Sequence, residues 1–566
     1  MKCLRSLVLL SISFITIRSA AQSDNINLND KQYNILERLE IKLVNDSLPR
    51  FTTVKPYNRK VMTQRVEQIY SNYQKGLYPN LELTDVDEVS IKNFLISNAD
   101  WTTDPKYSFL SKRKPNYTGL YPTSAHLVSV KTKDYSFVMD PIFTIQGGKS
   151  TEGNKSLYVN ARGVVLRGSV ANAIGFYTTL TENQEKDPLY VQEYIANNKA
   201  LPGYGFFKPY QQSGYDHLDA HGGISVNTGK FFDLLVAYDK LFIGNGYRSL
   251  FLSDFSSNYY YLRFKMHIGK VNYESIFAQT TQPFDTITQS VPQALPKNYI
   301  GIHHLSWQVS KRFNLGFYEN STENGKNGVK LDYLNPFIIY KSLEQDDGNY
   351  GKTSIGFDFR YNAVKNVQFY GQVLFSEFIT KEILNYGHGF WENKQGAQLG
   401  MKYIDAFGIY NFDLQFEANL VRPYTYTARD SVIGFTNYNQ PLAHPLGASF
   451  REFIAIAKLQ PIPKLYLTAK IFYNEQGLDS AGLNMGSDIF RSYLSRPRDY
   501  GFKIGSGILA RTMMGSFTAS YEVIPGVFID GNTTYRKYDV QNQIARNDFY
   551  FTLGFRFNIA RRDFEF

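Results

Sequence analysis

Residues 547–566 read NDFYFTLGFRFNIARRDFEF. From Phe549 the odd positions are Phe549, Phe551, Leu553, Phe555, Phe557 and Ile559. The even positions are Tyr550, Thr552, Gly554, Arg556, Asn558 and Ala560. A period of two puts each set on its own face of a strand. Four phenylalanines on one face, backed by threonine, glycine, arginine and asparagine, predict a strand lying between hydrocarbon and a polar interior. That is the wall of a membrane-crossing β-barrel.

The same alternation recurs upstream as far as Tyr135. Tyr410, Phe412, Leu414, Phe416, Ala418 and Leu420 share one face, against Asn411, Asp413, Gln415, Glu417 and Asn419. Ile355, Phe357, Phe359 and Tyr361 stand against Asp358, Arg360 and Asn362, and Tyr260, Leu262, Phe264, Met266 and Ile268 against Arg263, Lys265 and His267. A soluble barrel would fill its inside with apolar residues; here the charges keep to one face throughout, as a polar lumen requires. Tight Gly, Pro, Asn and Lys turns are expected near 169–172, 227–230, 267–270, 310–312, 363–366, 404–408, 461–464 and 524–526. Longer connections lie between them, at 183–215, 241–257, 282–297, 322–351, 378–393, 422–449 and 475–502, with shorter ones near 147–155 and 540–547. Eight turns and nine loops join about eighteen antiparallel strands, the even count of single-chain barrels. The lumen-facing charges are Asp233, Arg263, Lys265, Glu274, Asp358, Arg360, Lys402, Asp413, Glu417, Lys470, Arg536 and Arg556. Such a mixture lines a water-filled pore or forms a salt-bridged network that shuts one.

The front of the chain reads differently. Lys2 and Arg5, the apolar run Leu7–Ile17 and the small residues Ser19, Ala20 and Ala21 form a secretory leader, residues 1–21. No later run is long enough for a spanning helix. Cys3 is the one cysteine, so an exported chain has no disulfide and no thiolate chemistry. Losing Lys2, Arg5 and Arg18 with the leader takes the net charge from +10 to +7. A basic exported protein suits an acidic glycan or lipopolysaccharide, and export argues against nucleic acid. Residues 22–134 predict a small helical bundle and connector. One helix is capped by Asn29 or Asp30 and carries Tyr33, Leu36, Leu39 and Leu43; a second carries Met62, Val66, Ile69 and Tyr70. A third opens on the capping-box residues Thr84 and Asp87 and carries Val86, Val89, Ile91, Phe94 and Leu95. Mutual packing explains these stripes, and the bundle is also placed to cover a barrel mouth. Trp101–Asp134 reads as the connector, and residues 135–566 as the barrel.

Candidate binding residues come from three stretches. In LFIGNGYRSLFLSD, residues 241–254, Gly244 and Gly246 allow a sharp bend that presents Asn245, Tyr247, Arg248 and Asp254, either as a loop re-entering the mouth or as a ligand-contacting constriction. In LDYLNPFIIY, residues 331–340, Asp332, Tyr333 and Asn335 are expected where the loop folds inward. Trp391, Tyr424 and Tyr426 belong to aromatic-rich outer loops, whose rings can stack on sugar faces or form the girdle at the lipid boundary. No catalytic or metal motif is present. His221-Gly222-Gly223 lacks a G-x-S-x-G partner, and His303 and His304 point to opposite faces of one strand. A non-catalytic protein without cofactors is expected.

The chain as given closes on Phe566, and an amphipathic last strand with a terminal aromatic resembles the assembly signal read by the outer-membrane barrel-assembly machinery. Together KPYNRKVMTQRVEQIY (55–70), FVMDPIF (137–143) and GNGYRSLFLSD (244–254) resemble the capsule-assembly Wzi-like proteins of the outer membrane. Within them they are similar to the Bacteroidota branch known as gliding-motility RemB proteins. The resemblance implies an eighteen-stranded barrel, a periplasmic helical bundle, extracellular long loops, and a surface that binds capsular polysaccharide without turnover. A part in surface gliding motility or adhesion, and a porin-like diffusion channel, are the alternatives.

Overall fold

The computed structural model describes residues 23–44, 51–107, 125–153, 155–171, 173–227, 231–285, 294–346, 351–377, 381–382, 386–480 and 482–566. The leader at 1–21 and much of the expected connector, residues 108–124, lie outside the described residues. Eighteen long strands form one closed antiparallel barrel. They are β1 (Tyr135–Ser150), β2 (Ser156–Val170), β3 (Ile174–Lys186), β4 (Gly214–Asn227), β5 (Phe232–Asp239), β6 (Tyr259–Ile268), β7 (Val271–Thr281), β8 (Lys297–Gln308) and β9 (Phe313–Asn324). There follow β10 (Lys352–Val364), β11 (Val367–Glu377), β12 (Lys394–Tyr403), β13 (Phe412–Val421), β14 (Phe450–Ile462), β15 (Leu465–Leu478), β16 (Ile508–Ile524), β17 (Val527–Val540) and β18 (Arg546–Phe557). The expected tight turns fall between paired strands at one end, which we call the short-turn end, although residue 172 of one and residues 228–230 of another lie outside the described residues; the long connections gather at the other end.

The alternation decides the faces as expected. Leu305 pairs with Phe317 and Phe317 with Phe357, an outward apolar ladder, while His304 and Asp358 on the same strands meet inside, 2.7 Å apart. On β18, Leu553 faces outward and is 56% exposed; Arg556 faces inward, its Nε 2.6 Å from Asp530. Leu553→Arg therefore puts a charge into hydrocarbon. It is expected to lower barrel stability by about 2–4 kcal/mol, measured by guanidinium unfolding in lipid vesicles.

The barrel closes where β18 meets β1, Tyr550 opposite Ser150 and Phe557 opposite Phe143. There the ladder stops. The edge of β1 beyond Phe143 is taken by the short strand Val128–Lys131, which pairs with Ser136–Met139. Asp140–Ile142 lie between the two pairings, and the chain turns at Asn558, whose φ is 53° and whose side chain donates to the Pro141 carbonyl at 3.1 Å. The expected continuation of the strand through Ile559 and Ala560 to a terminal aromatic is thus corrected: residues 558–566 leave the wall and run inside the barrel.

Among the described residues three α-helices precede the barrel strands: α1 (Gln32–Lys42), α2 (Arg59–Gln74) and α3 (Asp85–Ser97). Asn58 caps α2 by accepting from the Val61 amide, and Thr84 and Asp87 form the expected capping box on α3. Asp30 accepts from the Gln32 amide at the start of α1. Leu36 and Leu39, Met62, Val66 and Ile69, and Ile91, Phe94 and Leu95 pack into one apolar core.

Candidate functional site

The helical segment is seated in the short-turn end of the lumen by ion pairs to strands all round the wall. Arg38 of α1 bonds Asp87 of α3, Asp405 in the turn after β12, and Asp413 of β13. Lys42 bonds Asp87 at 2.6 Å and Asp405 at 2.8 Å. Glu37 pairs with Lys402, Glu40 with Arg360, Lys31 with Glu522, and Asp100 with Arg167 at 2.6 Å. Burial pushes the Glu37 carboxyl up, but Lys402 and Lys458 outweigh it and hold the group at about 2.

Above the helices the loop 240–258 descends into the lumen. Phe242 and Ile243 pair with Lys55 and Val54 of the helical segment, and the Gly244 amide donates to the Thr53 carbonyl at 2.8 Å. Glu417 of β13 accepts from the Tyr247 and Arg248 amides at 2.7 and 3.0 Å. A Cβ on Gly246 would stand 2.5 Å from that carboxylate, so only glycine fits the bend. Leu250, Phe251 and Leu252 are fully buried, and Asp254 accepts from the Asn29 side chain at 2.8 Å. The loop 422–449 lies on top: Tyr426 donates to the Leu250 carbonyl at 2.8 Å, and the Ser253 amide to the Leu442 carbonyl.

Residues 558–566 form the remaining part of the filling. Arg562 pairs with Glu185 and stacks against Tyr204 and Phe564. Lys470 of β15 holds Asp563 at 3.0 Å and Glu565 at 2.7 Å. Phe566 packs on Tyr190 and Tyr194 of α4 (Leu189–Asn198), a helix in the loop after β3. Of the two arrangements open to the lumenal charges, the salt-bridged network is the one formed. Arg263 bonds Glu274 at 2.6 Å and Arg556 bonds Asp530 at 2.6 Å; Arg536 instead lies 4.5 Å from the Tyr190 ring.

The candidate residues fall in three places. Asn245, Tyr247, Arg248 and Asp254 sit together in the lumen. Trp391 and Tyr424 meet edge to face at 6.2 Å in a cluster at the long-loop end, and buried Tyr426 links that layer to the lumenal loop. Asp332, Tyr333 and Asn335 go elsewhere. The segment 325–346, ending in the helix α5 (Tyr340–Asp346), folds outward over the wall of β7–β9, not inward as expected. The reason lies underneath it. His303, Glu319 and Glu323 occupy outward positions, where bare polar groups in lipid are costly. Tyr340 stacks on His303 at 4.1 Å, the Lys341 amide donates to Glu319, and Tyr333 donates to Glu323 at 2.8 Å. Phe337 and Ile339 then present a new apolar surface. The alternation does not disclose Asp563 and Glu565 as lumenal partners. The consecutive charges of Arg561, Arg562 and Asp563, which no two-faced strand tolerates, are the signal that the strand has ended.

The long-loop cluster has Trp391 at its centre. Arg496 lies 4.0 Å over its ring and Lys394 4.8 Å, with Lys394 also 3.8 Å over Tyr493. Phe390 stacks near Tyr500 at 5.2 Å, and Arg498 lies 5.3 Å over Phe502.

The eighteen-stranded barrel has a counterpart among solved structures. The fold is that of Wzi. This Escherichia coli protein, an outer membrane protein involved in group 1 capsule assembly and a carbohydrate-binding β-barrel, aligns with a TM-score of 0.54 at 13% identity, over 96% of this chain and 100% of its own. Pseudomonas aeruginosa OprD aligns with a TM-score of 0.41 at 9% identity, over 74% of this chain and 94% of its own. The barrel thus resembles outer-membrane proteins of Gram-negative bacteria. No protein-family model and no curated protein sequence matches the chain.

Proposed function

We propose that this protein is a non-catalytic outer-membrane anchor for an acidic surface polysaccharide, with its long loops outside the cell and its helical segment in the periplasm. The observation that carries this reading is the obstructed lumen, in which inserted segments leave a cavity of about 880 Å³ along the wall in place of an open bore. A barrel occupied by helices, an infolded loop and residues 558–566 is poorly suited to diffusion, so its chemistry is expected at the exposed loop end. There, arginine and aromatic side chains alternate around Trp391, and Tyr500 is 49% exposed beside Arg498. Aromatic faces stack on sugar rings, and guanidinium groups pair with carboxylates. The carbohydrate binding of Wzi supports the same reading.

The test is binding of the detergent-purified protein to the producing organism's own acidic exopolysaccharide across a salt series. Saturable binding that weakens with salt is expected. The double substitution Arg498→Ala, Tyr500→Ala is expected to weaken it about tenfold. An absence of binding together with stepwise conductance in planar bilayers would overturn the proposal in favour of a channel.

A further inference from the structure

Residues 558–566 meet the lumen wall as a ligand meets a site. The Lys470 ammonium holds the Asp563 and Glu565 carboxylates, and the Tyr247 hydroxyl donates to Glu565. The Arg248 guanidinium pairs with Glu452 of the wall at 3.3 Å and donates to the Glu565 carbonyl, while its buried Nε has no hydrogen-bond partner among the described residues. Arg248 lies 5.4 Å over both the Tyr247 and the Phe472 rings. Among the described residues Lys470 has no carboxylate partner apart from Asp563 and Glu565. Beside the segment a cavity of about 880 Å³ follows the inner wall from Tyr158 and Lys186 at the long-loop end to Pro525 and Gly526 at the other.

We propose that the cleft of Tyr247, Arg248 and Lys470 is a binding site for a carboxylated sugar, which Asp563 and Glu565 occupy from within the chain. The wall reads carboxylates and ring faces here more than peptide. Residues 558–566 form no strand with it, and the segment's backbone meets the cleft at the Glu565 carbonyl. A hexuronate ring offers a matching set of features: a carboxylate for Lys470, an apolar face for Tyr247, and hydroxyls for the spare arginine N–H. The tethered carboxylates lower the fraction of protein open to an added ligand, and apparent affinity falls with that fraction. The cleft lies inside the barrel and shares no residue with the loop-end cluster.

The experiment is isothermal titration of the detergent-purified full chain with tetragalacturonate, using neutral maltotetraose as control. Asp563→Asn, Glu565→Gln is expected to bind tetragalacturonate about tenfold tighter than the parent or better. Adding Lys470→Met is expected to abolish the gain, and maltotetraose to show none. Arg562→Gln loosens the segment from Glu185 without touching the cleft; a gain is expected there too, and it stands in if the double variant does not fold. The loop-end substitutions Arg498→Ala, Tyr500→Ala are expected to leave the gain intact, which separates this site from the surface reading. No gain in either variant, or a gain that survives Lys470→Met, would overturn the proposal. So would capture of an added Arg-Arg-Asp-Phe-Glu-Phe peptide in place of the sugar acid, which would make the cleft a peptide dock.

Discussion

Replacing Arg38 by Met is expected to destabilise the seating of the helical segment by about 3–5 kcal/mol, the penalty for breaking a buried ion pair from one side. The side chain is nearly the right length, so packing changes little and charge changes most. In the parent, Arg38 neutralises Asp87, Asp405 and Asp413 at the junction of α1, α3 and the wall. Lys42 reaches only the first two. Burial works against the Asp87 and Asp405 carboxylates, but Arg38 holds both below their ordinary value, with Lys42 assisting. A depressed carboxyl stabilises the folded state above its unfolded pKa of about 3.9, and that contribution is lost as the pH falls through the folded value. The parent's seating is therefore expected to weaken in acid. Without Arg38, burial dominates and the carboxyls rise; protonation then relieves them, and stability increases as the pH falls from 7 towards 4. This reversal of sign is the readout that simple loss of packing would not give. It is measured as the helical melting transition in detergent at several pH values, with trypsin cleavage within 51–107 as the report of release.

Much of this architecture is written in the alternation of residues. Phe551 and Leu553 out, Thr552 and Arg556 in, is a statement about faces, and the pleat makes it binding for the whole strand. The turns carry their own signals, so strand number follows. The alternation contains no information on where a strand loses its partner. Nothing in FNIARRDFEF says that the pairing with β1 ends at Phe143, or that Val128–Lys131 occupies the edge of β1 from Met139 on. Asp332, Tyr333 and Asn335 show the same limit from the other side. Their loop is drawn outward by His303 and Glu319, polar residues at outward positions of β8 and β9, and these exceptions to the pattern were visible without their consequence being so. The site divides likewise: the bend at Gly244 and Gly246 is local and legible, whereas the partners of Arg248 and Lys470 come from segments hundreds of residues away.

The infolded loop gives the second large effect. Phe251→Ala is expected to lower the stability of the loop 240–258 by about 3–5 kcal/mol, the range for emptying a buried phenylalanine site. The ring is 0% exposed and stacks on Tyr318 at 4.3 Å with the planes 3° apart. It also lies flat against β10 at Gly356, where a Cβ would stand 2.4 Å from it; the wall has been cleared for this one ring. Its neighbours depend on it. The Leu250 amide donates to Gln372, and Ser249 Oγ accepts from the Phe251 and Leu252 amides while donating to the Ile243 carbonyl. These bonds hold only while the loop stays down, so losing the ring loosens a hydrogen-bonded knot as well as a contact. The loop forms the middle layer of the lumenal filling, between helices and upper loops. Its release is expected to turn a silent barrel into one with stepwise conductance in planar bilayers. Phe357→Ala is the control: that ring lies on β10, one residue from Gly356, but faces outward and is expected to leave the barrel silent. If Phe251→Ala melts lower yet conducts no better than Phe357→Ala, the helical segment seals the barrel without the loop. The purpose of the infolded loop would then be to support the long-loop surface above it, through Tyr426 and Leu442.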